Sequence, residues 1–147
     1  MVWNGGAVGG MMAGLALLLA AAVPARAAAL TVTVAGVPDG RGHVLVALCT
    51  RDSFLGPGCP YHGSAPARAG TTVVTVEAPP GRYALQAFHD ANDNLDIDRN
   101  FLGFPTERMG FGNDAKMMFG PPGFEDAAIT LTPDGGSTAV TLRDIGP

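Results

Sequence analysis

Residues 89 to 98 read His-Asp-Ala-Asn-Asp-Asn-Leu-Asp-Ile-Asp, the part of the chain best equipped for chemistry. Asp90, Asn92, Asn94, Asp96 and Asp98 recur at every second position, and each carries a short side chain ending in oxygen. A hard cation such as Ca²⁺ takes about six to eight oxygens at ~2.3–2.6 Å, and alternating Asp and Asn in a tight loop supply them.

Aligned with an EF-hand calcium loop, Asp90, Asn92, Asn94 and Asp98 fall at positions one, three, five and nine. The backbone carbonyl of Asp96 falls at position seven. Two requirements of that loop are unmet. Leu95 stands where the sharp turn takes Gly, and Phe101 stands where a bidentate Glu closes the shell. Glu107 supplies the missing carboxylate only if the chain folds back. Two readings therefore stand side by side. One is a Ca²⁺ site built from Asp90, Asn92, Asn94, Asp96, Asp98 and Glu107. The other is a metal-free turn in which Asn and Asp bond their own backbone.

Other candidates are sparser. His89 precedes the run and reads as a ligand contact, a general base, or a buried imidazole bonded to backbone. Glu107 with Asp90 or Asp98 would form a carboxylate pair of the kind glycosidases use. Met109, Met117 and Met118 together with His89 would suit copper, although Met more often fills irregular cores. No Gly-x-Ser-x-Gly motif occurs.

The elements that must position these residues begin after a targeting segment. Met11 to Val23 is almost wholly apolar and short for a membrane span, and Pro24 and Ala25-Arg26-Ala27 follow it. Residues 1–27 read as a signal peptide cleaved near Ala27 to Ala29, and 28–147 as one domain, periplasmic or secreted. No Lys or Arg precedes the apolar core, so the positive charge there rests on the terminal amine. Removing Arg26 leaves 8 basic against 13 acidic residues, a net charge of −5. That balance argues against nucleic acid and against anionic membrane, and no membrane insertion of the mature chain is expected. Cys49 and Cys59, the only cysteines, read as one disulfide in an oxidising compartment.

The domain reads as all-β. Leu30–Val34 alternates, His43–Leu48 is continuously apolar, and Thr71–Val76 and Arg82–Phe88 flank the turn Pro79-Pro80-Gly81. That turn suggests paired neighbours. Ala127–Thr132 and Thr138–Leu142 suggest a final pair around Pro133-Asp134-Gly135-Gly136. Six or seven short strands with Gly/Pro turns imply a single antiparallel β-sandwich, Ig-like or transthyretin-like, with one long ordered loop. On Arg82–Phe88, Tyr83, Leu85 and Ala87 share one face, and Ala84, Gln86 and Phe88 the other. Asp90 to Asp126 has no strand pattern but holds five of the seven Phe residues. So apolar a segment must pack on something.

The motifs along this segment are distinctive. Pro80-Gly81-Arg82-Tyr83-Ala84 is followed by Phe88-His89-Asp90-x-Asn92-x-Asn94, then Asp98-x-Asn100-Phe101-x-Gly103-x-Pro105-x-Glu107. Gly110-Phe111-x-Asn113 and Phe119-Gly120-Pro121-Pro122-x-Phe124-x-x-Ala127 complete the series. Together they resemble a family of exported bacterial proteins known as domain of unknown function 2141. The resemblance spans the mature chain and implies an exported domain without naming an activity. Leu95 departs from the family's Gly, and Arg108-Met109 from its Gly-Tyr or Gly-Val. The Pro-Gly-x-Tyr turn also resembles transthyretin-like and carboxypeptidase-regulatory sandwiches, which supports the fold alone.

The functional expectation is a non-catalytic exported module. Its Asp/Asn loop, with Ca²⁺ as the candidate ion, shapes a surface for a small ligand or an envelope protein. His89, Phe101, Phe104 and Phe111 are the candidate contacts on that surface. A small metal-assisted hydrolase using Glu107 and His89 is the alternative, and would need either residue at the floor of a pocket. A purely structural envelope domain is the third reading, and predicts buried Phe side chains and no pocket.

Overall fold

The computed structural model describes residues 21–22 and 26–145. The signal-peptide reading therefore lies almost entirely outside the described residues. Among those residues, no helix is long and apolar enough to cross a membrane.

Eight strands form two packed sheets. They are β1 (Ala28–Val37), β2 (His43–Cys49), β3 (Tyr61–Pro66), β4 (Gly70–Ala78), β5 (Gly81–Asp90), β6 (Met109–Phe111), β7 (Ala128–Leu131) and β8 (Gly136–Thr141). One sheet has the order β4-β1-β8, with β1 antiparallel to β4 and parallel to β8. The other has the order β3-β2-β5-β6, and β7 also pairs with β5. The architecture is the all-β sandwich expected from the alternating apolar runs. Val32 and Val34 of β1 meet Val44, Val46 and Leu48 of β2 and Leu85 of β5 in the main core. These β-branched and leucine side chains suit a pleated, buried surface.

Both expected hairpins are corrected. The turn at Pro79-Pro80-Gly81 does not pair β4 with β5. It carries the chain from one sheet to the other, and the Tyr83 hydroxyl donates to the Pro79 carbonyl at 2.7 Å to fix the corner. Likewise β7 and β8 separate, β7 to β5 and β8 to β1. A Gly/Pro turn reverses direction whether the next strand pairs or crosses over, so it cannot report the partner. β3, Tyr-His-Gly-Ser-Ala-Pro, carries little β propensity, so no local signal marks it as a strand. Its Gly63 lets the strand pass close to β4, since a Cβ there would lie 2.3 Å from the Thr75 carbonyl oxygen.

The Asp90–Asp126 segment is not one loop. β6 interrupts it, pairing Met109, Gly110 and Phe111 with Phe88, Ala87 and Gln86. β7 then pairs with Gly81 to Ala84 of the same strand. The two excursions, 91–108 and 112–127, are thus anchored end to end along one edge of β5. Gly110 permits β6 to sit against β8, where a Cβ would come 2.6 Å from the Thr141 carbonyl. A short 3-10 turn (Gly112–Asp114) and one helical turn, α1 (Phe124–Ala127), lie in the second excursion. Beneath it is a second small core of Ala84, Met109, Phe111 and Ala127. Phe54 stacks edge-on against Phe111 and Phe124 there, with ring centroids 6.3 and 6.2 Å apart.

Candidate functional site

Strand β5 ends in a buried carboxylate. Asp90 is 0 % exposed and accepts backbone N–H groups from Asn94 at 3.2 Å and Leu95 at 2.8 Å. Charge-assisted bonds of this kind compensate a buried carboxylate. The loop closes on itself further out. The side-chain amides of Asn92 and Asn94 donate to the two oxygens of Asp98 at 2.7 and 2.8 Å. Asn94 Oδ1 accepts the Asp96 N–H at 3.0 Å, and Asp96 Oδ1 accepts the Ile97 N–H at 2.8 Å. Asp93 and Leu95 both take left-handed backbone, with φ of 56° and 61°.

Glu107 does fold back on the run. Its Oε2 accepts the Asp98 N–H at 3.4 Å, while the Asp98 carbonyl accepts the Thr106 N–H at 2.8 Å. Partial burial pushes the Glu107 carboxyl above its ordinary range, and repulsion from Asp98 and Asp90 adds to this against hydrogen bonds from the Asp98 and Ala91 backbone. Among the described residues no group of three or more His, Cys, Asp and Glu has the spacing of a metal site.

His89 is buried, with Nε2 2.6 Å from the Arg41 carbonyl oxygen and 3.9 Å from Asp39. His43, the first residue of β2, pairs across the sheet with Asp90. Its Nδ1 lies 2.7 Å from Asp93 Oδ1, which ties the loop to β2. The alternating pattern passed over Asp93, and no local signal links it to a residue fifty positions away.

The apolar side chains of the two excursions separate sharply. Phe111 and Met109 are buried in the second core, whereas Phe101 is 95 % exposed, Met118 78 % and Phe119 fully exposed. Phe104 stands between them. An open cleft of about 740 Å³ runs between the excursions, the 50–60 loop and the C-terminal end. Phe104, Phe111, Met117, Met118 and Phe119 line it, with Leu55 on the far wall. Phe101 stands outside it on the adjoining turn. Neither His89 nor Glu107 lines this cleft, nor does any of Asp90, Asn92, Asn94, Asp96 and Asp98. Every methionine after residue 12 does.

The walls of the cleft are held by bonds that the sequence motifs encode. Asn100 Oδ1 accepts the N–H groups of Leu102 and Phe104 at 3.0 and 3.1 Å, which folds the first tip. Asn113, at φ 56°, donates to the carbonyls of Asp126 and Ala128 at 3.1 and 2.8 Å, which docks the second excursion. Asp114 binds the Arg143 guanidinium and the Thr141 N–H, and these hold its carboxyl below the usual range. The disulfide Cys49–Cys59, with Cα atoms 4.4 Å apart, ties down the loop that carries Leu55.

The chain matches no curated protein and no solved structure at a significant level. One family profile matches, described as an uncharacterized protein conserved in bacteria (DUF2141), over residues 32–140. That span runs from within β1 to within β8 and takes in the whole of both excursions, so the chain belongs to the DUF2141 family.

Proposed function

We propose that the domain is an exported, non-catalytic binding module whose working surface is the apolar cleft between the two excursions. The observation that carries this reading is the exposure of Phe104, Met118 and Phe119 around one concavity. A volume of about 740 Å³ falls in the range of small-molecule sites, roughly 300–1,000 Å³. Covering a Phe or Met side chain contributes about 1.5–3 kcal/mol, so such groups are seldom left open around a concavity without use. Asn100, Glu107, Gly110 and Asn113 of the family motifs each have a bond or a close approach that folds the excursions. Phe101 and Phe119, in the same motifs, have no such role. That contrast favours a binding role over a purely structural one.

The Asp/Asn run serves this surface as a brace. In our reading Ca²⁺ is its candidate ion, and its binding would draw Asp98 and Glu107 toward Asp90, since no three such side chains among the described residues are grouped to hold a metal ion as they stand. Burial does most to raise the Glu107 carboxyl, and the smaller repulsion from Asp98 and Asp90 that adds to it is what a divalent cation would relieve. Export accords with the disulfide, which persists in oxidising compartments. Signal cleavage after Ala27 would leave β1 whole, whereas cleavage after Ala29 would remove its first two residues.

The test is binding of the neutral apolar dye Nile red. The parent should bind it saturably, and Phe104→Ser/Phe119→Ser should abolish binding at unchanged melting temperature. Equal dye binding by parent and double variant would refute the assignment.

A further inference from the structure

Two charged side chains line the cleft, and only one is compensated. Asp144 is held by the Arg108 guanidinium, Nε to Oδ1 at 3.0 Å and the terminal nitrogen to Oδ2 at 3.1 Å. Arg99 donates to the Gly103 carbonyl at 3.0 Å and has no carboxylate partner among the described residues. An otherwise acidic protein thus places an unneutralised guanidinium on the rim of its apolar concavity. The apolar walls are formed by thioethers and aromatic rings, Met117 and Met118 beside Phe104 and Phe119. Thioether side chains adapt their shape to flexible apolar ligands.

We infer that the cleft takes a single-chain amphiphile with an anionic head, a long-chain fatty acid, its carboxylate on Arg99 and its chain along Phe104, Met117, Met118 and Phe119. This inference rests on the binding reading above. A planar guanidinium matches a carboxylate with two parallel hydrogen bonds. Specificity then divides into two measurable parts. Chain length is read by the apolar walls, where each methylene that leaves water tightens binding by up to about fourfold. Head charge is read by Arg99.

The experiment is displacement of Nile red from the purified protein by laurate below its micelle concentration. Octanoate, of shorter chain, and dodecyltrimethylammonium, of equal chain length and opposite charge, serve as comparisons. Laurate should displace the dye saturably, at least tenfold more tightly than octanoate and more tightly than the cation. Arg99→Gln, which keeps a donor for the Gly103 carbonyl, should weaken laurate several-fold, by more than it weakens the dye. Arg99→Lys, which keeps the charge but loses the paired hydrogen bonds, should bind laurate with an affinity between those of the parent and Arg99→Gln. Dye binding that laurate fails to displace, or that the cation displaces equally well, would overturn this inference and leave the binding reading standing. Cosedimentation with phosphatidylcholine vesicles without displacement by laurate would also overturn it, and assign the surface to membrane docking. Absence of dye binding would remove both.

Discussion

Asp90 Oδ2 lies 2.8 Å from the backbone nitrogen of Leu95, a residue held at φ 61°. A buried carboxylate at the end of a central strand thereby holds a leucine in a conformation that leucine disfavours. Gly42 lets the chain pass close to the backbone of the same residue, for a Cβ there would lie 1.9 Å from the Asp90 main-chain carbonyl oxygen. The first excursion starts from this contact, and the cleft's first wall follows from its course.

Asp90→Ala should destabilise the domain by about 2–4 kcal/mol, since it removes two charge-assisted bonds, leaving the Leu95 N–H unpaired and the Asn94 N–H with only its 3.4 Å contact to Asn92 Oδ1. Asp90→Asn, which keeps one acceptor oxygen, should lose less. Urea unfolding of the three proteins gives the order, and a loss below about 0.5 kcal/mol for Asp90→Ala would show that the loop does not depend on the carboxylate.

Leu95→Gly should be neutral to stabilising, by up to about 1 kcal/mol. The left-handed backbone costs a leucine roughly 1–2 kcal/mol, and the greater freedom of Gly when unfolded offsets roughly 0.5–1 kcal/mol of the relief. The Leu95 side chain is exposed, so little packing is lost. A clear destabilisation in thermal melts would mean that the leucine has contacts this account lacks.

Glu107 should oppose stability as pH rises. Its folded carboxyl titrates above the ordinary 4.5, so the folded state holds its proton longer than the unfolded state. Its contribution is therefore fully favourable below about 4.5 and is lost as pH climbs through the raised folded value. Asp114, held low by Arg143, runs the other way, and its stabilisation is lost as pH falls below 3.8. Glu107→Gln should raise the melting temperature at pH 7 in EDTA and flatten the pH profile above 4.5. It should also abolish any Ca²⁺-dependent rise. If Ca²⁺ raises the melting temperature of parent and Glu107→Gln equally, Glu107 is not a ligand.

Cys49→Ser with Cys59→Ser should cost about 2–3 kcal/mol under oxidising conditions, the chain-entropy value for a loop of about ten residues. The loss should extend to the cleft, because the bridged loop carries Leu55. Nile red affinity in the double variant, measured where it is still folded, separates the two effects.

Much of this was legible in the chain. Alternation in Leu30–Val34 and Thr71–Val76 and the apolar run His43–Leu48 found the core strands, because burial on one face leaves alternation in the sequence and burial on both leaves a continuous apolar run. Pairing was not legible, since the turns at Pro79-Pro80-Gly81 and Pro133–Gly136 encode reversal and say nothing of the partner. β6 was hidden because three residues, Met-Gly-Phe, are too few to show a period, and its place depends on Gly110 approaching β8. Spacing exposed Asp90, Asn92, Asn94 and Asp98 as a group. It could not show that the amides of Asn92 and Asn94 turn to Asp98, or that His43 reaches Asp93. The division of the Phe residues, Phe111 inward and Phe119 outward, depends on how two excursions pack along one strand edge, which local sequence does not record.

Occupancy of the cleft by an apolar ligand is read at its methionines. Met109, Met117 and Met118 all line it, so ¹³C-methyl-methionine labelling places NMR reporters on the cleft itself. Their resonances are assigned by Met→Leu replacement and followed during titration with 1-octanol, a neutral apolar probe. A binding cleft gives saturable shifts in all three, abolished by Phe104→Ser/Phe119→Ser. Resonances that stay fixed, or drift without saturating in both proteins, would contradict it.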